Sequence, residues 1–429
     1  MLCVAEAAER FGFYTMKTPL VFFLTERLGM PPDQAANLVG SYIGAVYLAP
    51  LLGGRLADRY WGFLRTVLVG GFVMAVGHAV LIRETLGALY VAMGILALGN
   101  GLFKPNMQCL VRNLYYKRND PLVDEAFSYY YFGVNLGAAA AVLVAELLRA
   151  RWGWSAVFGA AAVGLLAGLV QLVLQIRYVR HAAHASSVGA ILGVDIADPA
   201  YRDLPTPEER PEERRRIWAI LGLTGIGAIF WTAFNQEGTT LPIWTRDGVE
   251  RGGISPLWFS LINPLTVMIG TPLVIWLGRH LRLSTTTKVL AGMVLAAMAF
   301  GIFGAGALHP RAHWGWVLGG YVVLTFGELF VSPGGNALIG KLAPARHVGI
   351  LTAVWLLGSA LGGKAAGLFG LLWGQVAPSR FFWLVGLAAL LTALAVLLTR
   401  RPLQGIIDLA EQPPEPRSDP ARVVAVTVS

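Results

Sequence analysis

Gly53-Gly54-Arg55-Leu56-Ala57-Asp58-Arg59-Tyr60-Trp61-Gly62, followed by Arg65-Thr66, ends one apolar run and opens the next. A weaker relative, Gly278-Arg279-His280-Leu281-Arg282, ends an apolar run in the second half of the chain. A polar stretch, 178–216, separates the two and closes on Glu208-Glu209-Arg210-Pro211-Glu212-Glu213-Arg214-Arg215-Arg216. The chain therefore reads as two apolar halves with an echoed motif, joined by a solvated linker.

Composition fixes the solvent of those halves. Of 429 residues, 55% are apolar and 14% charged, whereas a soluble globular protein carries about 25% charged residues. The chain holds 51 Gly, which suits helices packed closely in lipid. Its two cysteines, Cys3 and Cys109, lie in apolar stretches and exclude a disulfide framework, a zinc site or a CxxC redox motif. The net charge of +9 raises nucleic acid as a partner until the basic residues are placed.

A membrane span needs about 20 mostly apolar residues. Twelve are read, at 3–28, 36–57, 64–83, 87–115, 125–149, 154–177, 217–238, 254–279, 286–308, 313–340, 348–374 and 379–400. Residues 1–177 and 217–400 are expected to form two six-helix bundles, with 178–216 as cytoplasmic linker and 401–429 as a disordered, Pro-rich cytoplasmic tail. Span one is no signal peptide, because Glu6, Glu9, Arg10 and Lys17 fall where a signal sequence has its uncharged core. The chain starts almost inside that span, so a start upstream of Met1 is an open alternative. With both termini in the cytoplasm, the inner loops and tail collect Arg55, Arg59, Arg65, Arg112, Lys117, Arg118, the linker cluster, Lys288, Lys341, Arg400 and Arg401. The outer loops hold only scattered bases. This asymmetry is a topology signal, and it disposes of nucleic acid.

Paired six-helix halves with an echoed loop point to the major facilitator architecture, an all-α membrane fold with its substrate cavity between the halves near the midplane. A charge deep in a span costs about 2.5–3.5 kcal/mol on insertion scales and by default marks function. Glu6, Glu9, Arg10, Phe13 and Lys17 share a stripe of about 100° at 100° per residue. Two acids and two bases on one face suit a proton-exchange network, with a structural salt bridge as the plainer reading. Lys104 on span four lies about 11 residues, roughly 16 Å, from the cytoplasmic end, too deep to snorkel easily. An acid on span one is its expected partner. On span ten, Glu328, Ser332 and Gly335 share a face beside Pro333-Gly334-Gly335, so Glu328 could bind a proton or a substrate ammonium. On span seven, Trp231 and Asn235 stand one turn apart, while Glu237 is about 200° from Asn235 near the outer end and reads as an interfacial acid, with a cavity residue as the alternative. Tyr131 and Asn135 form a similar pair on span five. Lys364 on span eleven has no evident partner, and a ligand role for it stays open.

Together these motifs resemble the proton-dependent oligopeptide transporter family, a branch of the major facilitator superfamily. Glu6-x-x-Glu9-Arg10-Phe11-x-x-Tyr14, the Gly53–Gly62 loop and Phe127-Ser128-Tyr129-Tyr130-Tyr131-Phe132-Gly133-Val134-Asn135-Leu136-Gly137 are similar to its signatures. Lys104-Pro105-Asn106, Phe230-Trp231, Ile262-Asn263-Pro264-Leu265 and Gly327-Glu328-Leu329-x-x-Ser332-Pro333 match further positions. The resemblance implies import of di- and tripeptides driven by inward proton flow, with protons as coupling ion and no other cofactor. It implies a coupling network of Glu6, Glu9, Arg10, Lys104 and Glu328. It also implies a pocket of Tyr14, Lys17, Tyr47, Asn135, Trp231, Asn235, Asn263, Glu328, Ser332 and Trp355. There Glu328 takes the peptide N-terminus and Lys17 the carboxylate.

The chain departs from that pattern at three places. Phe13 replaces a tyrosine, Lys17 an arginine, and Asn235 the span-seven glutamate that pairs with the span-one base. Asn cannot titrate, and lysine lacks the bidentate fork of arginine. No hydrolase or transferase motif stands in the loops, so a transporter rather than an enzyme is expected. It is expected to be monomeric, in the plasma membrane or a bacterial inner membrane, with peptides, protons and the bilayer as partners. A same-fold carrier of an amino acid, nitrate or peptide-like metabolite is the first rival, and a peptide sensor the second.

Overall fold

The computed structural model describes residues 2–113, 122–179, 210–281, 283–342 and 348–411. Helix is nearly its only regular structure; the two strands among these residues, Val249–Glu250 and Ala312–His313, are short and pair in parallel. Among the described residues, eight helical stretches are long and apolar enough to cross a membrane. Two of them, Pro32–Leu81 with 50 residues and Tyr129–Leu174 with 46, are each long enough for two crossings at 1.5 Å per residue. Their breaks fall at glycines. Gly62 has φ 71° and follows a π-helical turn, Ala57–Trp61; Gly153 has φ 78° and ψ −171°. Only glycine adopts such angles without strain, and a Cβ on Gly153 would meet nothing within 4 Å, so backbone freedom rather than space selects it there. The helices Leu2–Lys17 and Val348–Gly370 supply the two remaining crossings of the twelve expected. The first is set apart by its charges.

The apolar outer wall identifies the solvent as lipid. On the span-twelve helix Leu387, Leu390, Leu391, Leu394 and Leu398 are all exposed. Loss of such a face to water would be unfavourable at roughly 25 cal/mol per Å², and a bilayer removes that cost. Inside, close packing rests on small residues. A Cβ on Gly53 would stand 1.9 Å from the Gly101 carbonyl oxygen, so the signature glycine of the loop motif is there to let spans two and four touch. Asn106 ties the same contact by donating to the Gly53 carbonyl at 3.3 Å.

The two halves meet along a glycine seam between the span-two helix, Pro32–Leu48, and the span-eleven helix, Val348–Gly370. A Cβ on Gly40 would lie 2.4 Å from the Gly367 nitrogen, one on Gly363 3.0 Å from the Gly44 nitrogen, and one on Gly370 2.6 Å from the Ala36 Cβ. Further along the same end, Arg246 donates to Thr25 Oγ1 at 2.7 Å, and Arg149 bonds Glu26 at 2.8 Å.

Two expectations from the sequence change. The span-seven helix begins at Arg210, seven residues inside the expected linker, whose residues 180–209 lie outside the described residues. The span-twelve helix runs through Pro402 to Glu411, so 401–411 is not a disordered tail. Its Ile407, 1% exposed, packs with Ile220, Leu223, Leu342 and Leu351, and that buried contact holds the extension in helix. Residues 412–429 lie outside the described residues.

Candidate functional site

The span-one stripe folds into one cluster. Glu6 and Glu9 are 0% exposed and Arg10 2%, in a helix that places them on adjacent turns. Arg10 forks onto Glu9, with Nε on one oxygen and Nη2 on the other at 2.6 Å, and its Nε also stands 3.3 Å from Glu6 Oε1. Glu9 gains a second donor from Asn100 Nδ2 at 3.0 Å. Tyr130 of span five brings its hydroxyl towards Glu6. Buried charges persist when paired: Glu9 takes hydrogen bonds from Arg10 and Asn100, whereas Glu6 has the Arg10 charge at 3.3 Å but, among the described residues, both its oxygens lack a hydrogen-bond partner.

Lys104 is placed differently from expectation. Arg10 occupies both acids, and among the described residues no carboxylate lies within 4.0 Å of Lys104. Its ammonium instead sits 5.4 Å from the centre of the Tyr47 ring, within electrostatic reach of Glu9, Glu6, Arg10 and Lys17. Lys104 thus stands beside a closed ion cluster, poised to take an acid that Arg10 releases.

From this cluster a row of aromatic rings leads across the space between the halves. Arg10 lies 4.8 Å from the Phe13 ring, which explains how a phenylalanine serves at that position. Lys17 lies 5.5 Å from the Tyr14 ring. Tyr47 and Trp231, from opposite halves, approach to 6.4 Å between centroids. Glu328 on span ten is braced from span eight: Asn263 Nδ2 donates to its Oε2 at 2.9 Å and to Thr325 Oγ1 at 3.2 Å. The Glu328 charge reaches Tyr14, Tyr47 and Tyr131 and that of Lys17. An acid from the second half, Glu328, and a base from the first, Lys17, therefore both act on Tyr14.

Other expected pocket residues are more structural. Asn135 is buried and donates to the Tyr131 carbonyl at 2.9 Å. Asn235 does the same to Trp231 at 2.8 Å and is 3% exposed. Ser332 is half-buried, and half-buried Trp355 lies against Gly227. Lys364 finds partners across the seam, Asn37 Oδ1 at 3.2 Å and Ser41 Oγ at 2.8 Å.

Past Asn235 the helix tightens to a 3-10 turn, Asn235–Gly238. Glu237 in that turn is half-buried, and its charge acts on Tyr14, Tyr47, Tyr321 and Glu328 and feels Lys17. Asn100 and Tyr130 were missed. Asn100 lies one turn before Lys104, a spacing that could have been read; nothing in Tyr129-Tyr130-Tyr131 says which ring turns inward.

Known proteins arranged this way can now be compared. The chain is 29% identical to dipeptide and tripeptide permease A of Edwardsiella piscicida over 92% of each chain. It is 27% identical to the permease of that name from Escherichia coli K12, over 92% of this chain and 90% of the relative. Among solved structures, a peptide transporter POT in complex with sulfate superposes with a TM-score of 0.85 at 26% identity, covering 94% of both chains. A POT family transporter in complex with a thioalcohol-conjugated peptide gives 0.80 at 25% identity, over 94% of this chain and 96% of the other. These neighbours share the fold of this chain, and the model of the Major Facilitator Superfamily matches residues 2–363: this multi-pass membrane protein belongs to that superfamily.

Proposed function

We propose that the chain is a proton-coupled symporter that imports di- and tripeptides by alternating access of its two bundles. The observation that carries this reading is a base of the first half over the Tyr14 ring, Lys17, and an acid of the second half, Glu328, held by Asn263. A short peptide is a zwitterion, and a base and an acid from opposite halves match its two ends. Charge-assisted bonds of this kind contribute about 1.5–3 kcal/mol each. The permease names of the relatives support the same substrate class. Glu6, Glu9, Arg10 and Lys104 are the coupling groups. Protonation of either acid releases half of Arg10's partners, and Lys104 stands ready to pair with the other. The protein acts as a monomer in the plasma membrane, a bacterial inner membrane by its relatives, with both termini in the cytoplasm.

Uptake into proteoliposomes tests this. An inward proton gradient should drive accumulation of labelled dialanine, and collapse of the gradient should stop it. Accumulation of an amino acid or nitrate that dialanine does not compete would overturn the peptide assignment. Peptide binding without accumulation would make the chain a sensor.

A further inference from the structure

At the end of the bundle where the span-seven helix begins, a groove of about 350 Å³ runs between that helix and the extension of span twelve. One wall is Arg215, Trp218, Ala219 and Gly222; the other is Pro402 and Leu403 with their neighbours. The walls are almost wholly carbon. Gly222 is exposed, and a Cβ there would meet nothing within 4 Å, as at Gly225 one turn further on. Glycine inside a helix costs about 0.5–1 kcal/mol relative to alanine. At Gly40, Gly53 and Gly363 that cost is offset by a close helix contact; at Gly222 no part of the chain uses the space.

The mouth of the groove is basic. Arg214 and Arg215 are exposed, and among the described residues neither makes an ion pair or hydrogen bond. The acid one turn before Arg216, Glu212, is already taken by it. Arg400 and Arg401, also exposed, flank the opposite wall. Trp218 is 67% exposed beside them, an amphipathic ring of the type that settles at the headgroup level. An apolar channel open to lipid, with unpaired guanidinium groups at its end, is complementary to one kind of molecule.

We propose that this groove binds one anionic glycerophospholipid, with an acyl chain lying along Ala219, Gly222 and Leu223 and the phosphate held by Arg214 and Arg215. The arginine fork matches phosphate oxygens bidentately. The site is separate from the inner space and does not depend on what the protein carries.

Native mass spectrometry of the full chain released from nanodiscs of mixed dioleoyl phosphatidylglycerol and phosphatidylcholine tests it. Wild type should retain one phosphatidylglycerol in preference to phosphatidylcholine. Arg214→Gln with Arg215→Gln should lower that preference about fivefold per arginine, so about twenty-fivefold together. Gly222→Leu should displace the lipid without changing any charge, and its thermal unfolding in detergent should stay at or slightly above the wild-type value, because the added side chain enters empty space and leucine is the better helix former. Arg177→Gln, a charge control on the first half, should retain lipid as wild type does. Equal retention by wild type, the double variant and Gly222→Leu would overturn the proposal. So would a wild-type dimer that Gly222→Leu splits with no change in lipid count, since the groove would then seat a second copy of the chain.

Discussion

Lys364 Nζ and Ser41 Oγ stand 2.8 Å apart across the seam between the two halves. The lysine is on the lipid-facing edge of span eleven, next to exposed Leu361 and Leu368, and reaches over to span two rather than into the inner space. A ligand role is therefore not what its placement serves. Its two bonds exist only while the halves are closed at this end.

Removing them should weaken closure. Hydrogen bonds to a charged group contribute about 1.5–3 kcal/mol, so Lys364→Leu should shift the balance between closed and open states of this end by tenfold or more. Spin labels at Gln34 and Gln375, in a background lacking Cys3 and Cys109, should report a larger population of long distances. Unchanged distance distributions would mean that the glycine packing alone holds the seam.

The buried cluster predicts a split between driven and undriven transport. Glu9→Gln removes one acid from Arg10, and Lys104→Ala removes the base that would take over a released acid. Both should abolish uptake driven by a proton gradient while sparing part of counterflow exchange, which moves no net protons. Loss of one partner of a buried pair costs about 3–5 kcal/mol, so thermal unfolding of Glu9→Gln should fall markedly, and that of Lys104→Ala, unpaired here, should fall less. Concentrative uptake at the wild-type level in both variants would exclude the cluster from coupling.

The sequence carried most of this fold because the signals were one-dimensional. Apolar run length places the crossings, the stripe of Glu6, Glu9 and Arg10 places the cluster, and Gly62 and Gly153 sit where crossings end. What it did not carry depends on distances between helices. That Arg10 outcompetes Lys104 for both acids needs the spacing of spans one and four. That Lys364 meets Asn37 and Ser41 needs the seam. The change from α to 3-10 geometry at Asn235 likewise leaves no mark in composition.

Glu328 predicts how a substrate amine is read. Glu328→Gln keeps the shape that Asn263 braces but loses the charge, and peptide affinity should fall by tens-fold. An N-acetylated dipeptide should bind wild type poorly and lose little more in the variant. Competition binding with both ligands on both proteins checks this. Independent effects of acetylation and mutation would mean that Glu328 does not contact the amine.

The last prediction concerns the partner of Lys17. The resemblance implied that a span-seven acid at position 235 should meet this base, and Asn235 left it without one. The structure places Glu237 within its electrostatic reach, and the Lys17 Cε lies 3.9 Å from a Cβ built on Gly238. Among the described residues Glu237 makes no hydrogen bond and no ion pair within 4.0 Å, so it acts on Lys17 through its charge alone. Asn235 and Gln236 cannot do this work: the first donates to the Trp231 carbonyl, and the second to the Thr232 and Ala366 carbonyls. Asn235→Glu should therefore fail to restore a pair. It replaces a buried donor by a carboxylate aimed at a carbonyl oxygen, an unsatisfied arrangement that costs about 1–3 kcal/mol or more, and thermal stability should drop with no gain in transport. Glu237→Gln should instead alter the pH profile of dipeptide uptake, and should do so only while Lys17 is present. Peptides amidated at the C-terminus should be carried worse than free acids by wild type, because Lys17 then meets no carboxylate from the substrate. The measurement is the pH profile of uptake in wild type, Glu237→Gln, Lys17→Ala and the double variant. Coupled residues give a non-additive cycle. If the effect of Glu237→Gln is the same with and without Lys17, the two charges act separately and the base has another partner.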